Sequence, residues 1–185
     1  DEEGVFKTSY DRYRKLALSG VEQPQTTHAD RFRFNASYGV SAYTKGSIFL
    51  RQLKHIIGTV AFDRAMKDYF SLWSFKHPTP NDFIRCAENS SGAELDWYLT
   101  DWTKTTNTID YAVDSVTETG DVVKVNLKRI GLMPIPIEVK VLYEGGSEEN
   151  FYIPLQMMRA ENPLAKETIE LKDWAWAHPN YLSLI

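Results

Sequence analysis

At 185 residues, 43% hydrophobic and 13% aromatic, the chain is long enough for one ordinary domain or two small ones and can bury a core. Its formal net charge of −4 comes from interspersed acids and bases, without the run of like charge that phosphate backbones or anionic membranes attract, which argues against nucleic acid as a partner. Cys86 is the single cysteine, so neither an internal disulfide nor a thiolate metal cluster can be built from this chain, and the compartment stays open between an extracytoplasmic and a cytoplasmic one.

The opening residues Asp1-Glu2-Glu3 include neither a Met nor a basic, apolar leader, and read as the start of a piece of a longer chain. Phe6, Tyr10, Tyr13, Leu16 and Ala17 then recur at spacings of three and four, which predicts a helix from about Gly4 to Ser19, stopped by Gly20. Residues 21–37, VEQPQTTHADRFRFNAS, have no sustained period and read as a connecting loop, with RFRF allowing a short extended piece. The next helix contains SAYTKGSIF in its first turn and carries the stripe Tyr43, Gly46, Leu50, Leu53 and Ile57 up to Gly58.

A third helix carries Val60, Ala61, Ala65, Met66, Tyr69, Phe70 and Trp73 on one side and Asp63, Arg64, Lys67 and Asp68 on the other. Thr79 as N-cap, Pro80 at the first position and Asp82 in the first turn start a fourth through Ile84, Cys86 and Ala87, closed by Ser91-Gly92. The last, from Ala93 to about Lys104, shows Leu95, Tyr98, Leu99 and Trp102 on one face.

Beyond Thr108 the period changes to two. Val113 and Val116, Val122 to Leu127, Ile135 to Val141, Phe151 to Leu155, Ile169 with Leu171, and Tyr181 to Ile185 read as strands. Thr119-Gly120-Asp121 and Glu144-Gly145-Gly146 are turn signals for two antiparallel hairpins. The longest apolar stretch here, 131–143, is broken by prolines and charges well short of the roughly 20 residues a spanning helix needs, so no membrane span is expected. The expected architecture is α+β: a helical part, 1–107, and a small antiparallel β-sandwich, 108–185.

Few residues suggest chemistry. His28, His55, His77 and His178 are scattered, and HExxH is absent, so no metal ligands are assigned in this chain. GxSxG is absent too, and Cys86 lies among apolar neighbours, where a thiol acts as a small hydrophobe. Glu148-Glu149 beside a Gly-Gly turn reads as hairpin solvation. Trp174 and Trp176, two apart on a strand, point to one face, which is more often core or interface than a sugar platform.

Tyr43 is the exception. At the N-terminal end of its stripe it is expected to be partly buried, with Gly46 one turn later letting a neighbour or ligand approach closely. On spacing alone, a phenol bonded to a carbonyl for support explains it better than a functional group does, and periodicity raises the question without settling it.

The run Tyr43-Thr44-Lys45-Gly46, with Leu53-Lys54-His55-Ile56-Ile57-Gly58, Phe62, Tyr69, Thr79-Pro80-Asn81-Asp82-Phe83 and Ser91-Gly92-Ala93-Glu94-Leu95 through Trp102, resembles the second half of the catalytic, thermolysin-like domain of M1-family zinc aminopeptidases. The resemblance is good over 26–102 and looser over the first helix. LKRIGLMPIPIEVKV is similar to the sandwich that follows this domain in bacterial members.

The resemblance implies a gluzincin that removes N-terminal residues from peptides. Its zinc is held by HExxH and a downstream glutamate, and none of these motifs is in this chain. It further implies that Tyr43 is catalytic, stabilising the tetrahedral intermediate, and that Tyr38, five residues earlier, lies nearby as a substrate-binding residue. The expected partners are therefore a peptide substrate and the rest of the parent peptidase, with zinc as the parent's cofactor. TKTTNTIDY departs from the Trp-x-x-x-x-G-x-P ending common elsewhere in the family, leaving the subgroup open. A non-catalytic scaffold with the same shape is the alternative reading, and a glycyl-aminopeptidase family with a similar tyrosine motif is a weaker rival.

Overall fold

A computed structural model describes residues 2–119, 122–143, 145–155, 166–172 and 183–184. They fall into two units, Asp1–Asn107 and Thr108–Ile185. In the first, α1 (Glu2–Leu18) is followed by a 3-10 turn (Ala29–Arg31), α2 (Asn35–Gly39), a π-helical segment (Val40–Lys45), α3 (Gly46–Ile57), α4 (Thr59–Trp73), α5 (Pro80–Ser91) and α6 (Asp96–Lys104).

The helix ends follow local chemistry. Gly20, Gly58 and Gly92 adopt positive φ, which costs a residue without Cβ little, and each stands just beyond the end of a helix. At the start of α5, the Asp82 carboxylate accepts hydrogen bonds from the Thr79 backbone N–H at 2.8 Å and from its hydroxyl at 2.7 Å, which hold its pKa below the usual carboxylate value.

α6 begins three residues later than the Ala93 expected. The Ser91 hydroxyl accepts from the Ala93 N–H and the Glu88 carboxylate accepts from the Leu95 N–H, so side chains of α5 satisfy these amides and hold the segment outside the helix. No strand forms over RFRF. Arg31 ends the 3-10 turn, and the Gln23 side chain takes the Arg33 N–H and donates to the Arg31 carbonyl.

The core of this unit gathers Leu16, Ile48, Phe49, Leu53, Ala65, Ile84, Ala87, Leu95, Tyr98, Leu99 and Trp102. Tyr98 donates its hydroxyl to the Phe49 carbonyl at 2.6 Å, and the Phe49, Tyr98 and Trp102 rings lie within 6.2 Å of one another. Cys86 is buried here; burial first, then Asp68 and Asp82, pushes its thiol pKa up, away from reactivity.

Among the described residues, the second unit holds two three-stranded antiparallel sheets. β2 (Val122–Arg129) lies between β1 (Tyr111–Thr119) and β5 (Lys166–Lys172). β3 (Ile137–Leu142) lies between β4 (Glu148–Ile153) and β6 (Ser183–Leu184). Alternate residues Val123, Val125 and Leu127 of β2, Ile137, Val139 and Val141 of β3, and Ile153 of β4 form one apolar cluster, as a period of two requires when each sheet buries one face.

β3 starts at Ile137 rather than Ile135 because Pro134 and Pro136 lack the N–H a ladder uses; instead, the Ile135 N–H donates to the Tyr111 hydroxyl at 2.9 Å. Both expected hairpins are present, β1 with β2 and β3 with β4, the second closed by Gly146 at positive φ. On β4, Glu148 pairs with Lys140 and Glu149 accepts from the Tyr143 hydroxyl, in keeping with solvated acids. Trp174 and Trp176, for which packing was expected, and His178 lie outside the described residues.

Candidate active site

α2, the π segment and α3 run on without a break, since Gly39, Val40, Lys45 and Gly46 all keep right-handed helical dihedrals. Tyr43 therefore stands well inside a long helix and not in a first turn. The i→i+5 winding loosens the backbone ladder over Val40–Lys45. Two carbonyls of the segment accept from side chains: Ser41 from Gln25 Nε2 at 2.6 Å, and Thr44 from the Ser47 hydroxyl at 2.8 Å.

The face this helix buries is not the one the spacing suggests. Ser37, Ser41, Lys45, Ile48, Phe49 and Leu53 are buried, whereas Tyr43 is 74% exposed. The expected partial burial of Tyr43 is thus corrected. Positions two apart on a helix stand about 200° apart at 3.6 residues per turn, so a buried Lys45 turns Tyr43 outward. Gly46 is no close-approach site in this chain either: a Cβ there would meet only Gln25 Nε2, at 3.9 Å.

Sequence reasoning took Lys45 only as part of a motif, and the structure gives it a partner. Its ammonium is 0% exposed and lies 2.7 Å from Glu22 Oε1, itself 5% exposed, in the loop after α1. The Tyr13 and Trp102 rings flank the ammonium at 5.4 and 5.9 Å. The same loop is fixed to the same helix face by Ser37, which donates to the Val21 carbonyl at 3.1 Å, and by the Gln25–Ser41 bond. The signal in the sequence was a lysine four residues after Ser41 on an otherwise uncharged run, with two acids, Glu22 and Asp30, in the preceding loop; nothing local says which of them it meets.

Burial, with the Glu22 carboxylate as the second cause, pushes the Tyr13 phenol well above the ordinary tyrosine range, and burial does the same to Tyr98. Groups whose folded pKa is raised contribute stability that is complete below the unfolded value and lost as pH rises through the folded one. Thermal melting of this chain should therefore hold steady up to about pH 10 and fall above it, with the loss reduced in Tyr13→Phe. A pH series of melting curves checks this; equal alkaline losses in both proteins would contradict it.

Tyr38 is 37% exposed, with its ring edge-on to Phe32 at 5.3 Å. Positions five apart stand about 140° apart on a regular α-helix, and i→i+5 winding narrows that angle, bringing Tyr38 and Tyr43 toward one side. Among the described residues the Tyr43 hydroxyl has no hydrogen-bond partner. It is a donor on the side of the helix opposite the buried Lys45.

His28 and His77 are not part of this site. His28 Nδ1 accepts from the Asp30 N–H at 3.3 Å and caps the 3-10 turn, and His77 is exposed. Among the described residues no three of His, Cys, Asp and Glu are grouped to hold a metal ion, and no helix is long and apolar enough to cross a membrane. The described residues therefore do not fit a resident zinc.

The model of the Peptidase family M1 domain matches residues 5–102. Among solved structures, aminopeptidase A of Legionella pneumophila, crystallised in complex with aspartic acid, aligns over 91% of this chain at 18% identity with a TM-score of 0.52. That likeness is one of fold, and the chain spans 20% of the Legionella chain. No curated protein matches.

Proposed function

The chain belongs to peptidase family M1, and from that premise we propose that it is the C-terminal part of a zinc-dependent aminopeptidase to which it contributes Tyr43. The observation that carries the reading is the placement of one phenol. Tyr43 is exposed, between the buried Ser41 and Lys45, and its hydroxyl has no partner among the described residues, so the fold makes no use of it. A donor left unpaired suits an oxyanion that appears only as the peptide carbonyl becomes tetrahedral. Tyr38, five residues earlier and 37% exposed, is on this reading a contact to the bound peptide. Zinc, on this reading, is held by residues of the parent outside this chain.

The test separates the chain from its parent. The isolated 185-residue chain should retain no stoichiometric zinc after dialysis against the metal and should release no amino acid from aminoacyl substrates. The full-length protein should do both and lose activity on chelation. One tightly held equivalent of zinc with peptidase activity in the isolated chain would overturn the reading, and a full-length protein that binds no zinc and cleaves nothing would return it to a scaffold.

A further inference from the structure

We infer that the buried Lys45–Glu22 pair is a positioning device for Tyr43, fixing the π segment so that the phenol faces outward; this rests on the proposed role of Tyr43. Three observations converge. The ammonium and carboxylate meet at 2.7 Å in a site closed to water, where a charge left without its partner is strongly unfavourable, so the pair admits one arrangement of helix and loop. Lys45 is the last residue of the π segment, and Tyr43 stands two residues before it. A turn wound i→i+5 is inherently less stable than an α-turn and persists where surrounding contacts hold it. Here those contacts come from the loop that carries Glu22: Val21 takes the Ser37 hydroxyl, Glu22 takes the Lys45 ammonium, and Gln25 donates to the Ser41 carbonyl.

Relaxation of the segment to regular α winding would turn Tyr43 relative to α3, moving a hydroxyl that must reach one atom of the substrate. Lys45 and Glu22 are thus positioning residues that act through Tyr43 and touch no substrate themselves. An apolar residue at 45 would suit the core equally well for burial alone. What the ion pair adds is a single permitted register between the loop and the helix.

The experiment is a mutant cycle in the full-length peptidase. Glu22→Gln keeps the shape and removes the charge. Lys45→Met/Glu22→Leu removes both charges, so the protein folds even where Lys45→Met alone does not. Each is measured with Tyr43 and with Tyr43→Phe. With Tyr43 present, kcat should fall by about 10- to 100-fold while KM changes little, as expected when a transition-state donor is misplaced by about an ångström. In the Tyr43→Phe background the same changes should alter kcat by about twofold or less, because there is no hydroxyl left to misplace. Equal losses in both backgrounds would reduce the pair to a structural contact, and unchanged kcat in both would remove it from the reaction. If Tyr43→Phe alone leaves kcat at its native value, the role of Tyr43 fails first and the positioning role falls with it.

Discussion

In the full-length parent, Tyr43→Phe is expected to lower kcat by about 10²–10³ while melting temperature and zinc content stay near native, if Tyr43 plays the proposed role. The size follows from when the bond forms. A donor aimed at an oxyanion contributes mainly in the transition state, and losing one typically costs roughly 3–4 kcal/mol in the barrier. The melting temperature is expected to hold because the Tyr43 side chain is exposed and has no hydrogen-bond partner among the described residues. Removing its hydroxyl leaves nothing buried and unsatisfied, in contrast to a supporting tyrosine, whose loss would cost about 1 kcal/mol of stability. Steady-state kinetics beside a melting curve decides: normal turnover with lowered stability would return Tyr43 to a structural role. Tyr38→Phe is the matched control and should lose less, since its ring is already engaged edge-on with Phe32.

The second large effect is on folding. A Cβ at Gly131 would lie 2.1 Å from the Thr108 carbonyl oxygen, 2.7 Å from the Asp110 nitrogen and 2.9 Å from the Thr108 carbonyl carbon. All three are backbone atoms, so no side chain can swing aside. The chain is held there because the N–H groups of Ile130 and Gly131 both donate to the Asp110 carbonyl and that of Met133 donates to the Thr108 carbonyl. Gly131→Ala must therefore break these bonds or strain the backbone, and should destabilise the second unit by about 3 kcal/mol, the upper end of the usual cost of overpacking. Gly46→Ala is the contrast: the new methyl has room, and replacing glycine inside a helix should stabilise by about 0.5–1 kcal/mol. Denaturant titrations of the two variants beside the parent chain test both; a Gly131→Ala protein as stable as the native one would show that the segment yields more easily than its hydrogen bonds imply.

Most element boundaries were legible because their causes lie within a few residues. Gly58 and Gly92 end helices through their own dihedrals, Thr79 and Asp82 start one through bonds to each other, and the change from a period near 3.6 to one of two marks the move from helices to sheets. Where the reading missed, the cause was a partner at a distance or a local competitor. α6 starts late because Glu88 takes the Leu95 amide, and β3 starts late because two prolines withhold donors. The glycine of LKRIGLMP resembled any other until Thr108 and Asp110 were seen against it.

By itself the sequence determined the order of the main helices and strands, which depends on local dihedrals, capping and periodicity that each short stretch carries within itself. Tyr43 as the residue to test came from the family resemblance, which periodicity does not supply. Only the tertiary structure decided which side of the 35–57 helix faces the core. The apolar stripe through Tyr43, Gly46, Leu50 and Leu53 puts the tyrosine in and the lysine out, and the molecule instead buries the side that runs through Ser41, Lys45, Phe49 and Leu53. A lysine can be buried only when an acid meets it, here Glu22 from a loop 23 residues earlier. A charge is buried or exposed according to the partner the fold supplies, and that partner lies beyond the reach of any local pattern.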